Sequence, residues 1–145
     1  MALLPLLLLV PGAPAAGKVA PAVVTDVGEG TARFARAIIA RDLGTLVALS
    51  PAPFSFDGAT AQTAAEVRNR WAEILDRHPV ERLKLLGVEV VGAAEMVKKN
   101  GPPPARLAHL PLQGSTIGIA NLNGRATLVL WHKDRHGWRA FAVSD

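Results

Sequence analysis

Residues 121–144 read N-L-N-G-R-A-T-L-V-L-W-H-K-D-R-H-G-W-R-A-F-A-V-S. Asn123-Gly124 is the kind of two-residue signal that joins antiparallel strands. Arg125 to His132 follows as a strand, Asp134-Arg135-His136-Gly137 as a tight loop, and Trp138 to Ser144 as a second strand. A four-residue loop sets Trp131 opposite Ala140, Leu130 opposite Phe141 and Val129 opposite Ala142. Leu128, Leu130, Phe141 and Val143 then lie on one face, with Val129, Trp131 and Trp138 on the other. A hairpin that is apolar on both sides must be covered on both. Helices shelter one side; the other calls for a partner subunit or a folded-back segment.

Outward from this hairpin, Leu83 to Val97 is rich in Leu and Val and reads as one long strand, with Gly87 or Gly92 as a place for a bulge. Asn100-Gly101 reads as a turn, stiffened by Pro102, Pro103 and Pro104. Arg106 to Ala120 reads as a strand interrupted at Pro111 and Gly114. The first half of the chain is helical instead. Asp26 and Glu29 have the spacing of a capping box, ahead of Phe34, Ala37, Ile38 and Arg41 at helical period. Asp42 caps a short second helix through Leu49, which Pro51 stops. Thr63 and Glu66 form another capping box before a third helix, to about Arg77, that buries Val67, Trp71, Ile74 and Leu75. Pro79 ends it.

The first residues differ in composition. Ala2 to Val10 is nearly unbroken Leu, too short to span a bilayer, and is followed by Pro11-Gly12 and Ala13-Pro14-Ala15-Ala16. An apolar run followed by small residues at cleavage spacing reads as a secretory signal peptide. The expected organisation is a signal peptide over 1–16, a tether over 17–25 and one α+β domain over 26–145. The expected location is periplasmic or secreted. The chain of 145 residues has no cysteine, so it forms no disulfide and offers no thiol nucleophile or thiolate ligand. Sixteen basic against twelve acidic residues give a net charge of +4, and the basic residues are scattered. That pattern argues against a nucleic-acid partner.

The order helix, short helix, Phe54-Ser55-Phe56-Asp57-Gly58, helix with Arg70-Trp71, then a meander ending in Trp131 and Gly137-Trp138-Arg139-Ala140-Phe141 resembles the nuclear transport factor 2-like superfamily, which includes the SnoaL-like proteins. The resemblance also draws on Ala40-Arg41-Asp42-Leu43 and spans roughly Val27 to Ser144. It implies three N-terminal helices packed in a curved, mainly antiparallel sheet of four to six strands. Such a cone would have a pocket at its open end.

Within that frame Asp57 is a candidate general base, if an apolar pocket raises its pKa, or else a turn-forming Asp-Gly. His132 is a candidate proton shuttle, or a solvated residue at a strand end. Phe54, Phe56, Trp71, Trp131 and Trp138 are candidate ligand contacts, or indoles and rings in a plain core. No pair of histidines has a convincing ligand spacing, so no metal is expected, and no cofactor either. The chain contains no Tyr, which argues against the ketosteroid isomerase chemistry of that superfamily. Asp57, Arg70 and Asp76 supply the residue types of its epoxide-opening members without matching their motif.

The resulting expectation is an exported domain that binds a small apolar molecule in the cone without catalysis. A cofactor-free lyase, isomerase or hydrolase is the first alternative. A homodimerising interaction domain with no ligand is the second, and in any case a homodimer pairing through the outer sheet face is expected. No stable membrane anchor is expected after signal cleavage.

Overall fold

The computed structural model describes residues 20–77 and 82–145. The expected signal peptide, the start of the tether, His78 and Pro79 lie outside the described residues. α1 (Val27–Ala40) begins where the sequence places it, with the Asp26 carboxylate accepting the Glu29 N–H at 2.8 Å. α2 (Leu43–Leu49) is capped by Asp42. The Thr45 hydroxyl and N–H donate to that carboxylate at 2.6 and 3.1 Å and hold its pKa below the ordinary value. β1 (Phe54–Phe56) and β2 (Ala59–Ala61) form a hairpin over Asp57-Gly58. Both turn residues have positive φ, 49° and 91°, the conformation that a type I′ turn requires and that Asp-Gly supplies. α3 (Ala64–Arg77) opens with the reciprocal box: Thr63 Oγ1 accepts the Glu66 N–H at 3.2 Å, and Glu66 accepts the Gln62 N–H at 2.7 Å.

The second half departs from the expected meander. The long strand stops early: β3 spans Leu85–Gly92 and gives way to a fourth helix, α4 (Ala93–Asn100). Ala, Glu, Met and Lys favour helix, and Glu95 and Lys99 sit one turn apart at 3.5 Å. Asn100-Gly101 is therefore not a hairpin turn but a helix end, with Gly101 at φ 81°. The segment after it folds into successive turns, including Leu107 N–H to Pro104 O at 2.9 Å and Leu110 N–H to Leu107 O at 3.1 Å. Prolines deny it a ladder. A strand resumes only at β4 (Thr116–Leu122), followed by β5 (Arg125–Asp134) and β6 (Gly137–Ser144).

The six strands lie in the order β2-β1-β6-β5-β4-β3, and β1 runs parallel to β6. This corrects the expected architecture on three points. There are four helices among the described residues, one of them inside the strand region. The sheet is mixed. It is also open, with β2 and β3 at its two ends, and it neither curves nor closes into a cone. The resemblance to the nuclear transport factor 2-like superfamily, with its SnoaL-like members, is withdrawn with the cone it implied.

One sheet face packs on α1, α2 and α3. Phe34, Phe54, Phe56, Trp71 and Trp131 meet there, all at most 3% exposed. Their rings are 5.1–6.4 Å apart in mostly tilted or edge-on pairs, the arrangement the ring quadrupoles favour. Both buried indole N–H groups are satisfied, Trp71 by Ser50 Oγ at 2.9 Å and Trp131 by Thr31 Oγ1 at 3.1 Å.

The other face carries a further correction. A bulge on β6 falls opposite the step from Leu130 to Trp131, so Trp131 pairs with Ala140 as expected but Leu130 pairs with Ala142 and Val129 with Val143. Phe141 becomes the extra residue. The extra residue shifts the alternation by one position, which turns Val143 to the helix side and Ala142 outward. The outward residues Leu130, Ala142 and Ile117 are buried beneath Ala93, with Met96, Leu110 and Leu112 packed around them. The folded-back segment is thus α4 with residues 101–115. Part of the outer face is thus covered from within the chain.

Candidate functional site

Asp57 sits in the β1–β2 turn, about half exposed. Its Oδ1 accepts the Ser144 hydroxyl at 2.8 Å and the Asp145 N–H at 3.4 Å, and lies 3.7 Å from Arg106 Nε. Arg106 also donates to Ser144 Oγ at 3.2 Å and to the Asp145 carbonyl at 3.0 Å. The carboxylate therefore pins the C-terminal end of β6 and the 101–115 segment to the first hairpin. We expect Asp57→Ala to lower stability by about 1 kcal/mol, read as a lower denaturant midpoint at unchanged slope.

His132 stacks on Phe141, with ring centroids 4.2 Å apart and planes 14° from parallel, and pairs across the ladder with Arg139. Leu128, not His132, lies opposite Ser144, so His132 stands four residues, about 13 Å, along β5 from the Asp57 cluster. The structure does not bring Asp57 and His132 together. His136 belongs to the hairpin turn, its N–H donating to Asp134 at 2.7 Å. Among the described residues no three His, Asp or Glu side chains are placed to hold a metal ion.

Of the five candidate ligand contacts, Phe54, Phe56, Trp71 and Trp131 are in the core. The space a cone pocket would use is filled from inside. The Trp131 indole lies against α1 at Gly30, where an added Cβ would come within 2.6–2.9 Å of it. The end of the tether closes the mouth: Trp138 N–H donates to Val24 O at 2.8 Å, Ala22 N–H donates to Ala48 O at 2.9 Å, and Val24 is 5% exposed. Outside Trp131 lies an open recess of about 270 Å³, lined by Pro21, Leu49, Trp138 and Arg139 among others. Among the described residues no closed chamber supports the apolar-ligand reading or the enzyme alternative, and both are withdrawn.

The feature that sequence reasoning missed is the end of the sheet. Among the described residues, β3 pairs only with β4. Its eight residues include Leu86 and Val90, which are 61% and 51% exposed. The opposite end, β2, is three residues long. Native sheets blunt a long free edge with Lys, Pro or a cover, because its unpaired N–H and C=O groups are a template for another strand. β3 has no Lys or Pro and a single charge, Glu89. A bulge interrupts only its start, between Leu85 and Gly87. The residues were legible as a strand, but nothing in their spacing says which strand is outermost.

No family model and no curated protein matches the chain. It is similar to a solved structure from Thiobacillus denitrificans described as a calcium/calmodulin-dependent protein kinase type II association domain. The two share 17% identity over 84% of this chain and 94% of that one, with a TM-score of 0.53. At that identity the likeness concerns the fold alone. Among the described residues no helix is long and apolar enough to cross a membrane.

Proposed function

We propose that the chain is a non-catalytic association module, and that it works by self-pairing rather than by holding a ligand or turning over a substrate. The observation that carries this reading is the edge of β3, which among the described residues pairs only with β4 and holds two large apolar side chains in water. Such an edge is an aggregation hazard in a protein that stays alone, and a homodimer is the commonest closed assembly that removes it. The likeness in fold to a domain described as an association domain points the same way. The outer face, the surface first expected to pair, is not used in this reading, because α4 and residues 101–115 already cover part of it.

Light scattering on the full chain at micromolar concentration tests it. The expected mass is that of two chains. A single-chain mass that persists up to about 100 μM, a concentration at which weak contacts with a Kd near the micromolar range would be filled, sinks the reading.

A further inference from the structure

We infer that residues 102–113 form a lid on the outer sheet face, hinged at Gly101 and Gly114 and latched by Arg106, which opens as a unit while the sheet stays folded. The inference does not depend on the association reading above, which uses another part of the sheet.

The base of the lid is a closed neck. Gly92 pairs with Thr116, and Ala93 N–H donates to Ser115 O at 3.0 Å. The chain therefore leaves the sheet and returns to it at one rung, and what lies between can move without breaking the ladder. α4 is the first part of that excursion. Beyond it, Gly101 and Gly114 have φ of 81° and 75°. An added Cβ at either would have nothing within 4 Å. These are glycines in open space, where the backbone turns most freely. Between them Pro102, Pro103, Pro104 and Pro111 stiffen the chain, so motion concentrates at the two ends. The lid's backbone bonds are also internal: Leu107 N–H to Pro104 O, Ala108 N–H to Ala105 O, Leu110 N–H to Leu107 O and Leu112 N–H to Leu110 O.

Among the described residues, the polar bonds from lid to sheet come from one side chain. Arg106 donates to Ser144 Oγ at 3.2 Å and to the Asp145 carbonyl at 3.0 Å, and stands 3.7 Å from Asp57 Oδ1. Its seat is shaped for it, since an added Cβ at Gly58 would overlap the Arg106 carbonyl. Both Arg106 and Asp57 are about half exposed, so water can replace these bonds. The remaining hold is apolar. Leu107 is buried, and Leu110 and Leu112 pack against the cluster of Leu130, Ala142 and Ile117. The covered face also carries a cost. Ser55 pairs with Ala142 and shares its face, is 2% exposed, and its hydroxyl has no hydrogen-bond partner. Water reaching that face removes the cost, which favours opening.

Hydrogen exchange on the full chain in rising, sub-denaturing urea tests the lid. The Leu107, Leu110 and Leu112 amides should exchange through one shared opening that hardly responds to urea, because little surface is exposed. The β5 ladder amides should exchange more slowly and respond steeply. Arg106→Ala should speed all three lid amides about tenfold, although none of their bonds involves the Arg106 side chain. Trp71→Phe, on the opposite face, should speed the β5 amides and leave the lid amides unchanged. A second measurement uses the absence of cysteine from this chain. Ala142→Cys puts a single thiol on the covered face, and its reaction with a thiol reagent should be as indifferent to urea as the lid amides. Circular dichroism checks that each variant is folded, and the exchange measurement stands without the thiol.

Lid amides that follow the β5 amides in urea and in Trp71→Phe overturn the lid, because the segment then opens only with the whole domain. Lid amides that are unprotected, or that exchange independently of one another and ignore Arg106→Ala, overturn the latch and the motion as a unit. A folded Ala142→Cys chain whose thiol reacts only through urea-dependent unfolding overturns the claim that opening uncovers the sheet.

Discussion

Trp71→Ala is expected to lower stability by about 3–5 kcal/mol, which for a domain of this size displaces the melting temperature by roughly 10–20 °C. Trp71 is 2% exposed and lies where α3 meets both β1 and α1. Its ring centroid is 5.2 Å from Phe56 and 6.3 Å from Phe34. Truncation removes these contacts and leaves a cavity that three surrounding elements cannot all close. It also strips Ser50 of a partner. The Ser50 hydroxyl donates to Leu46 O at 2.7 Å and accepts the Trp71 indole N–H at 2.9 Å. Trp71→Phe should keep most of the packing and lose that hydrogen bond, and so fall between the wild type and Trp71→Ala. Thermal unfolding of the three chains checks this. Equal melting points would mean that the indole is not in the core.

Gly118→Ala is expected to cost about 3 kcal/mol, although alanine is ordinarily no worse than glycine in a strand. Gly118, in the middle of β4, lies directly under Thr31 of α1. A Cβ there would overlap the Thr31 hydroxyl and come within 2.8 and 2.9 Å of its Cβ and Cγ2. Thr31 is fully buried and cannot swing into water. Relief requires α1 to lift from the sheet, and overpacking of this kind costs about 1–3 kcal/mol. The same movement draws the Thr31 hydroxyl from the Trp131 indole N–H, 3.1 Å away, and a buried donor without a partner adds about 1–3 kcal/mol. Gly44→Ala is the control. It lies within α2 and meets only Asp42 Oδ1, at 3.7 Å, so it should be neutral or slightly stabilising. Urea unfolding of both variants separates close approach from a general intolerance of losing glycine.

Local chemistry was readable wherever one short stretch of chain decides the outcome. The Asp26, Asp42 and Thr63 caps form because a side-chain oxygen three residues from an unpaired helix N–H has only one geometry to satisfy. Asp57-Gly58 makes its turn because these two residues tolerate positive φ. Their pattern also favoured the turn reading of Asp57 over the catalytic one. Of the helical stripe Val67, Trp71, Ile74 and Leu75, all but the half-buried Ile74 are buried as the spacing says.

Other errors came from competition between signals of similar strength. Leu83 to Val97 is mostly apolar, so period alone does not separate its strand from the helix that follows. The tendency of Ala93-Ala94-Glu95-Met96 to form helix, and the burial of Ala93 on Leu130 and Ala142, decide where one becomes the other. The bulge at Phe141 is likewise silent in sequence. One extra residue reverses the facing of Ala142 and Val143, and with it the account of which face needed a partner.

The sequence by itself determined the caps, the Asp-Gly turn, the apolar stripes of the helices and the existence of the last hairpin, because each depends on residues a few positions apart. Only the tertiary structure decided that β1 runs parallel to β6, that Trp131 and Val24 fill the space a ligand would have taken, that α4 and residues 101–115 cover part of the outer face, and that β3 stands at the edge. Each of these depends on which distant segments meet. That is a matter of total fit among large apolar side chains, and no local pattern encodes it.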